Sequence, residues 1–335
     1  MLACRGGLTL AMVACAACGP DANQPRYIAA QDVRSDVLCR ALKTLPDSSP
    51  ISDLSTVDDT SFAVLYDQDR LLAIYNSTFE RTAALTFDRD GARGVLHPVS
   101  AAVTDSLIYI ADDGRSVIRY FDRRGRDRGT LHLRFMPRRI RAGGGDVVVA
   151  PLVAGGSPGH LLFRVQNQQV VPLGGSIARY DDLGLNTLAN MTSLAAFPGR
   201  FVVMHELVVP FGYVIRPSSA VASTRRIALP VPASERARIS RVPAERITEK
   251  NVNELGVIAF AATESRANGH SFYVTRTGDG KRHPFRKIVV QLDSLMQLQR
   301  VFGIDVHPHH LAYLHDRASL IAVDAEDKWF ECPLP

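Results

Sequence analysis

His307-Pro308-His309-His310 sets three imidazoles within four consecutive positions, a density that can chelate Zn²⁺ or Cu²⁺ through ring nitrogens. A second set of polar groups recurs at long intervals: Asp67, Asp112, His205-Glu206, Arg276 and His315-Asp316. Carboxylates, imidazoles and a guanidinium brought around one funnel would focus field and orient a polar ligand. Converging oxygens and nitrogens there would instead suit a divalent metal, although Arg276 beside a dication is unfavourable. Arg123-Arg124-Gly125-Arg126-Asp127-Arg128 offers phosphate-contact chemistry, but the interleaved Asp127 makes it a solvated, partly self-neutralised tip. G-x-S-x-G, Walker A, dinucleotide-fingerprint, H-E-x-x-H and EF-hand patterns are all missing, so no catalytic residue, metal or cofactor is assigned.

What must position these groups is a set of short strands. From about residue 50 an apolar alternating run, a polar turn, a second run, a Gly/Asp/Asn turn and a third run recur, with no long helical periodicity between. The clearest copy runs from 107 to 133, with strands at 107–112 and 117–122, a hairpin at Arg123-Arg124-Gly125, and a strand at 129–133; a weaker run at 99–103 precedes it. Further copies are read at 62–87, 147–173, 201–229, 272–302 and 311–332. Six units at a period of roughly 40 to 50 residues is the spacing of a β-propeller. Two stretches break the pattern, 174–187 and 233–254, the second with Ile239, Val242 and Ile247 spaced as on a short amphipathic helix.

The second copy, with Ile110-Ala111-Asp112, then Ile118-Arg119-Tyr120-Phe121-Asp122 and Gly125, resembles an NHL-type repeat. That resemblance, to the NHL or TolB-like superfamily, implies an all-β, six-bladed β-propeller with the two inserts on its upper face. In such a ring the second-to-third-strand turns and the blade-to-blade connections share one face. Asp67, Asp112, His205, Glu206, Arg276, His315 and Asp316 are placed there by register, with Pro151 at the matching position of the third copy. The same register puts His307 to His310 in a first-to-second-strand turn on the opposite face, with Pro308 as turn former.

The amino terminus carries an address. Arg5 precedes an apolar run at 8–14, too short to span a bilayer, which ends in small residues and cysteines. Cys15-Ala16-Ala17-Cys18-Gly19 resembles the bacterial lipobox, which implies that Cys18 is acylated and begins the mature chain; Met12-Val13-Ala14-Cys15 is a competing box. The expected organisation is a signal at 1–18, a lead-in at 19–49 and one propeller at 50–335, displayed on a bacterial envelope membrane and facing the periplasm or exterior. Of 5 cysteines, only Cys39 and Cys332 remain in the mature domain. An oxidising compartment lets them bond, and both are expected at the seam where the last blade meets the first.

With 46% hydrophobic and 22% charged residues the chain can bury a full core, which excludes a wholly disordered protein and a multi-span membrane protein. The net charge of +5 is carried mainly by dispersed arginines with no aromatic-interleaved stripe, so no nucleic-acid partner is expected. The expected function is non-enzymatic: a monomeric module binding a peptide, glycan or protein ligand. The alternative is a metal-dependent hydrolase of the gluconolactonase and paraoxonase type using the axial funnel.

Overall fold

In a computed structural model, residues 26–33, 36–42, 49–90, 94–153, 159–218, 222–252, 254–278 and 284–335 are described. Cys4, Cys15, Cys18 and the expected signal at 1–18 lie outside them. The strands form six blades around one axis. Each blade begins with an inner strand: Ile51–Thr56, Pro98–Val103, Pro137–Gly143, Thr192–Phe197, Ala261–Ser265 and His310–Leu314. These inner strands are mutual neighbours around the ring, and the second, third and fourth strands of each blade step outwards by antiparallel pairing.

Burial explains why alternation was faint in some runs and clear in others. Second strands such as Ser61–Tyr66 are sandwiched between neighbouring blades and buried almost throughout, so they read as continuous apolar stretches. Fourth strands such as Ser223–Ala228 are largely exposed. Apolar clusters lie between blades; Val148 and Leu162 of blade three meet Leu194, Phe201 and Val203 of blade four. Turn chemistry is also local. Asp122 Oδ1 accepts the N–H groups of Arg124 and Arg126 at 2.9 and 3.0 Å, and Gly125 takes φ +79°. Asp293 and Asp324 cap their turns in the same way.

Blades one to five follow the expected register, with second strands ending at or beside Asp67, Asp112, Pro151, His205 and Arg276. Blade six does not. His310–Leu314 is its inner strand, Ser319–Val323 its second and Trp329–Pro333 its third; the fourth is Arg40–Ala41, pairing Ala41 with Phe330 and Arg40 with Glu331. The Asp324 turn repeats the chemistry of the third-to-fourth-strand hairpins at Asp122 and Asp293, which makes the copy look one strand further along than it is. His315 and Asp316 therefore sit in a first-to-second-strand turn on the lower face, where the His315 N–H donates to Asp59 O at 2.9 Å. His307 to His309 lie in the connection entering blade six, on the upper face rather than the lower.

The lead-in segment is woven into the ring. Arg26–Ile28 runs parallel to Pro230–Pro232, and Asp36–Val37 extends blade five alongside Gly303 and Ile304. Cys39 is disulfide-bonded to Cys332 across 293 residues of sequence, with the Cys39 N–H on Asp305 Oδ1 at 3.0 Å. Both inserts leave from upper connections. The first holds the helix Leu183–Ala189; the second holds Arg236–Ile239 and Glu249–Val252 in place of one amphipathic helix, because residues 240–248 are not helical. Ile247 and Val252 pack against Leu185 and Ala189, so the two inserts cover each other.

Candidate functional site

The axis is narrow above and open below. Its upper half is held by a polar plug carried on the inner strands. Asp53 of blade one receives two hydrogen bonds from Arg141 of blade three, at 2.7 and 2.9 Å, and one from Ser100 Oγ of blade two at 2.6 Å. The Ala101 N–H adds another at 3.1 Å, and Arg139 stands 3.5 Å away. Burial would raise the Asp53 carboxyl, but the Arg141 charge and hydrogen bonds outweigh it, with help from Arg139 and Ser100, and hold it at about 2. His310, beside this plug, is pushed down to about 4 by burial and then by Arg139. The recess between Asp53, Arg139, Arg141, Ser193 and His310 encloses only about 20 Å³, room for about one water.

Most of the expected upper-face residues are engaged inside the fold. Asp112 is fully buried and accepts the N–H groups of Leu96 and His97 at 2.7 and 3.1 Å, fixing the entry to its own blade. His205 is buried and donates from Nδ1 to Ala189 O at 2.8 Å, tying the first insert to blade four; burial drives its pKa down to about 4. Glu206 clamps Arg138 with two bonds of 2.8 Å and accepts from Ser193 Oγ at 3.1 Å, joining blades three and four. Arg276 binds Glu235 Oε1 at 3.3 Å and Leu255 O at 2.8 Å and stacks on Phe285, fastening the second insert. Asp67 stays partly exposed, 3.9 Å from His97 Nε2, while His97 Nδ1 lies 2.5 Å from Asp113. That Asp113 hydrogen bond, opposed by partial burial, raises the His97 pKa. The face thus gathers Asp67, His97 and Asp113 at one margin, with Asp112 buried beneath them, and holds His205, Glu206 and Arg276 apart from it. Among the described residues no group of three or more His, Cys, Asp or Glu is placed to hold a metal.

At the lower end the channel widens into a cavity of about 410 Å³. The ends of the inner strands and their turns form its wall: Val57 and Asp58 from blade one, Val103 to Ser106 from blade two, Ala142 to Gly145 from blade three, Pro198 from blade four and Arg266 from blade five. Tyr109 and Arg123 extend it beneath blade two. Backbone proximity dictates part of this wall. A Cβ on Gly143 would stand 2.5 Å from Phe197 O, and Gly144 takes φ +59° with Pro198 Cα 2.7 Å from where its Cβ would be. Arg266 donates to Val57 O at 2.5 Å and Ala142 O at 2.8 Å, so its charge is committed to the wall. Behind it Glu264 accepts from the Ala196 backbone and faces Arg266 Nε at 3.7 Å; burial raises its pKa to about 6.

Apart from His310 and Arg123, these axial and lower residues were not singled out from sequence. The available signal was chemical misfit: an acid or guanidinium inside an apolar run, as at Asp53, Arg139, Arg141 and Glu264. Such groups are buried only when paired.

The sequence matches no family profile and no curated protein. Solved structures do match. A crystal structure of a member of the DUF4221 family from Bacteroides vulgatus aligns over 88% of this chain and 97% of its own, with TM-score 0.57 and 8% identity. The structure of U3-55K aligns over 93% of this chain and 100% of its own, with TM-score 0.50 and 10% identity. At these identities the likeness is one of fold.

Proposed function

We propose that the protein is a non-enzymatic binding propeller, related to the NHL or TolB-like type, that takes a small polar ligand or the tip of a larger one in the lower mouth of its channel. The carrying observation is the contrast between the two ends of the axis: about 20 Å³ above, inside a plug of paired charges, and about 410 Å³ below, within the range of small-molecule pockets. Asp105, Ser106 and Arg123 at that mouth are exposed and, among the described residues, make no side-chain hydrogen bond or ion pair.

The test is a thermal-shift screen of the purified protein against a panel of oligosaccharides, nucleotides, amino acids and dipeptides. Ligands that stabilise the wild type should lose at least tenfold in affinity in Ser106→Trp, which fills the mouth. They should keep it in His97→Ala on the upper face. Loss in His97→Ala with full binding by Ser106→Trp would move the site to the upper face.

The same proposal tethers the protein to a bacterial envelope membrane through acyl groups on Cys18, supported by the small residues before that cysteine. Cys18→Ser should shift the protein from the membrane to the soluble fraction or leave it unprocessed. Membrane association and palmitate labelling that survive the change would exclude Cys18 as the anchor.

A further inference from the structure

From the chemistry of the lower mouth we infer that its ligand is a neutral saccharide unit, an inference that rests on the mouth being the binding site. The wall carries both signs of charge in one small volume. Asp58 and Asp105 stand for the acids and Arg123 for the bases, while Arg266 is already spent on backbone carbonyls. An anionic ligand would meet the Asp58 and Asp105 carboxylates, and a cation would meet the Arg123 guanidinium. Hydroxyl groups suit both kinds of partner, because each can donate to a carboxylate and accept from a guanidinium or a serine.

Two further features favour a ring of hydroxyls over a flexible polar chain. Tyr109 is half-buried in the wall, its ring 6.1 Å from that of Tyr120, so it offers a fixed aromatic surface to the C–H face of a sugar. Beyond it the turn at Gly144 and Gly145, both at positive φ and both exposed, presents backbone without side chains, which lets a flat ligand lie close. Polar groups at the rim around an aromatic platform, with no unbalanced charge, describe a site whose selectivity comes from hydrogen-bond geometry.

The experiment is a glycan array probed with the purified full chain, followed by calorimetry with the best neutral oligosaccharide. Tyr109→Ala and Asp105→Asn should each lower affinity at least tenfold while circular dichroism stays unchanged. Tyr109→Phe should retain most binding, since the ring carries the contact. Raising NaCl from 50 to 500 mM should change affinity less than twofold, as expected for an uncharged ligand. A folded wild type that retains no neutral glycan overturns the inference, as does retention that survives both substitutions. If nucleotides or amino acids bind instead and Ser106→Trp abolishes that binding, the mouth remains the binding site and the saccharide assignment fails. If nothing in the screen responds to Ser106→Trp, both fail.

Discussion

Asp53→Ala should destabilise the protein by about 3–5 kcal/mol, because it strands Arg141 at the axis with its anion removed. Asp53 is 2% and Arg141 8% exposed, and the pair links blades one and three through Ser100 of blade two. Urea unfolding measures it; a loss below about 1 kcal/mol would show that water or Glu264 takes over the charge. Replacing both partners by apolar residues, Asp53→Leu with Arg141→Met, should recover much of the loss, since the desolvation cost disappears with the charges. The pH dependence has a defined sign. The folded pKa of about 2 lies below the ordinary 3.8, so the Asp53 contribution is fully present above about pH 4 and disappears as pH falls towards 2. The stability gap between wild type and Asp53→Asn should narrow across that window.

Reducing the disulfide, or replacing Cys332 by Ser, should cost about 2–5 kcal/mol. The bond spans 293 residues, so it closes almost the whole domain into one loop, and it fastens the one place where the ring is completed by strands from opposite ends of the chain. Denaturation of the wild type with reductant should match the Cys332→Ser curve, while the oxidised wild type should be more stable by that amount. A shift under about 0.5 kcal/mol would mean that Arg40–Ala41 and the packing of Leu42 onto the Trp329 cluster hold the seam unaided.

The architecture was legible because blades repeat a local pattern: apolar runs of about six residues and Asp- or Gly-marked turns, each fixed by neighbouring residues. The clasp between Cys39 and Cys332 was legible from cysteine count and ring topology together. The sixth blade was misread because its closing strand is the two-residue Arg40–Ala41, too short for any periodicity and nearly three hundred residues from its partner. The polar set at the upper turns was legible as positions in blades one, two, four and five, but not as roles, and His315 and Asp316 were misplaced with the rest of blade six. Whether Glu206 meets a ligand or Arg138 depends on which inner-strand side chain a neighbouring blade supplies, and that is a tertiary fact. The lower mouth was invisible for the same reason, since five blades contribute to it and no one segment announces it.

The order of synthesis gives the closing strand a further consequence. Arg40–Ala41 is made long before its partner Trp329–Pro333. Until that strand emerges, blade six has no third strand and Arg40–Ala41 no partner. Inner-strand contacts can accumulate blade by blade, but the final pairing has the highest contact order the chain permits and is expected to come late. During that interval the patch of blade one that packs on Trp329, with Phe62, stands uncovered, as does the unpaired outer edge of Ser319–Val323. The protein is therefore most vulnerable to pairing with other chains before Trp329–Pro333 has docked, and a truncation that removes this strand should leave it in that state.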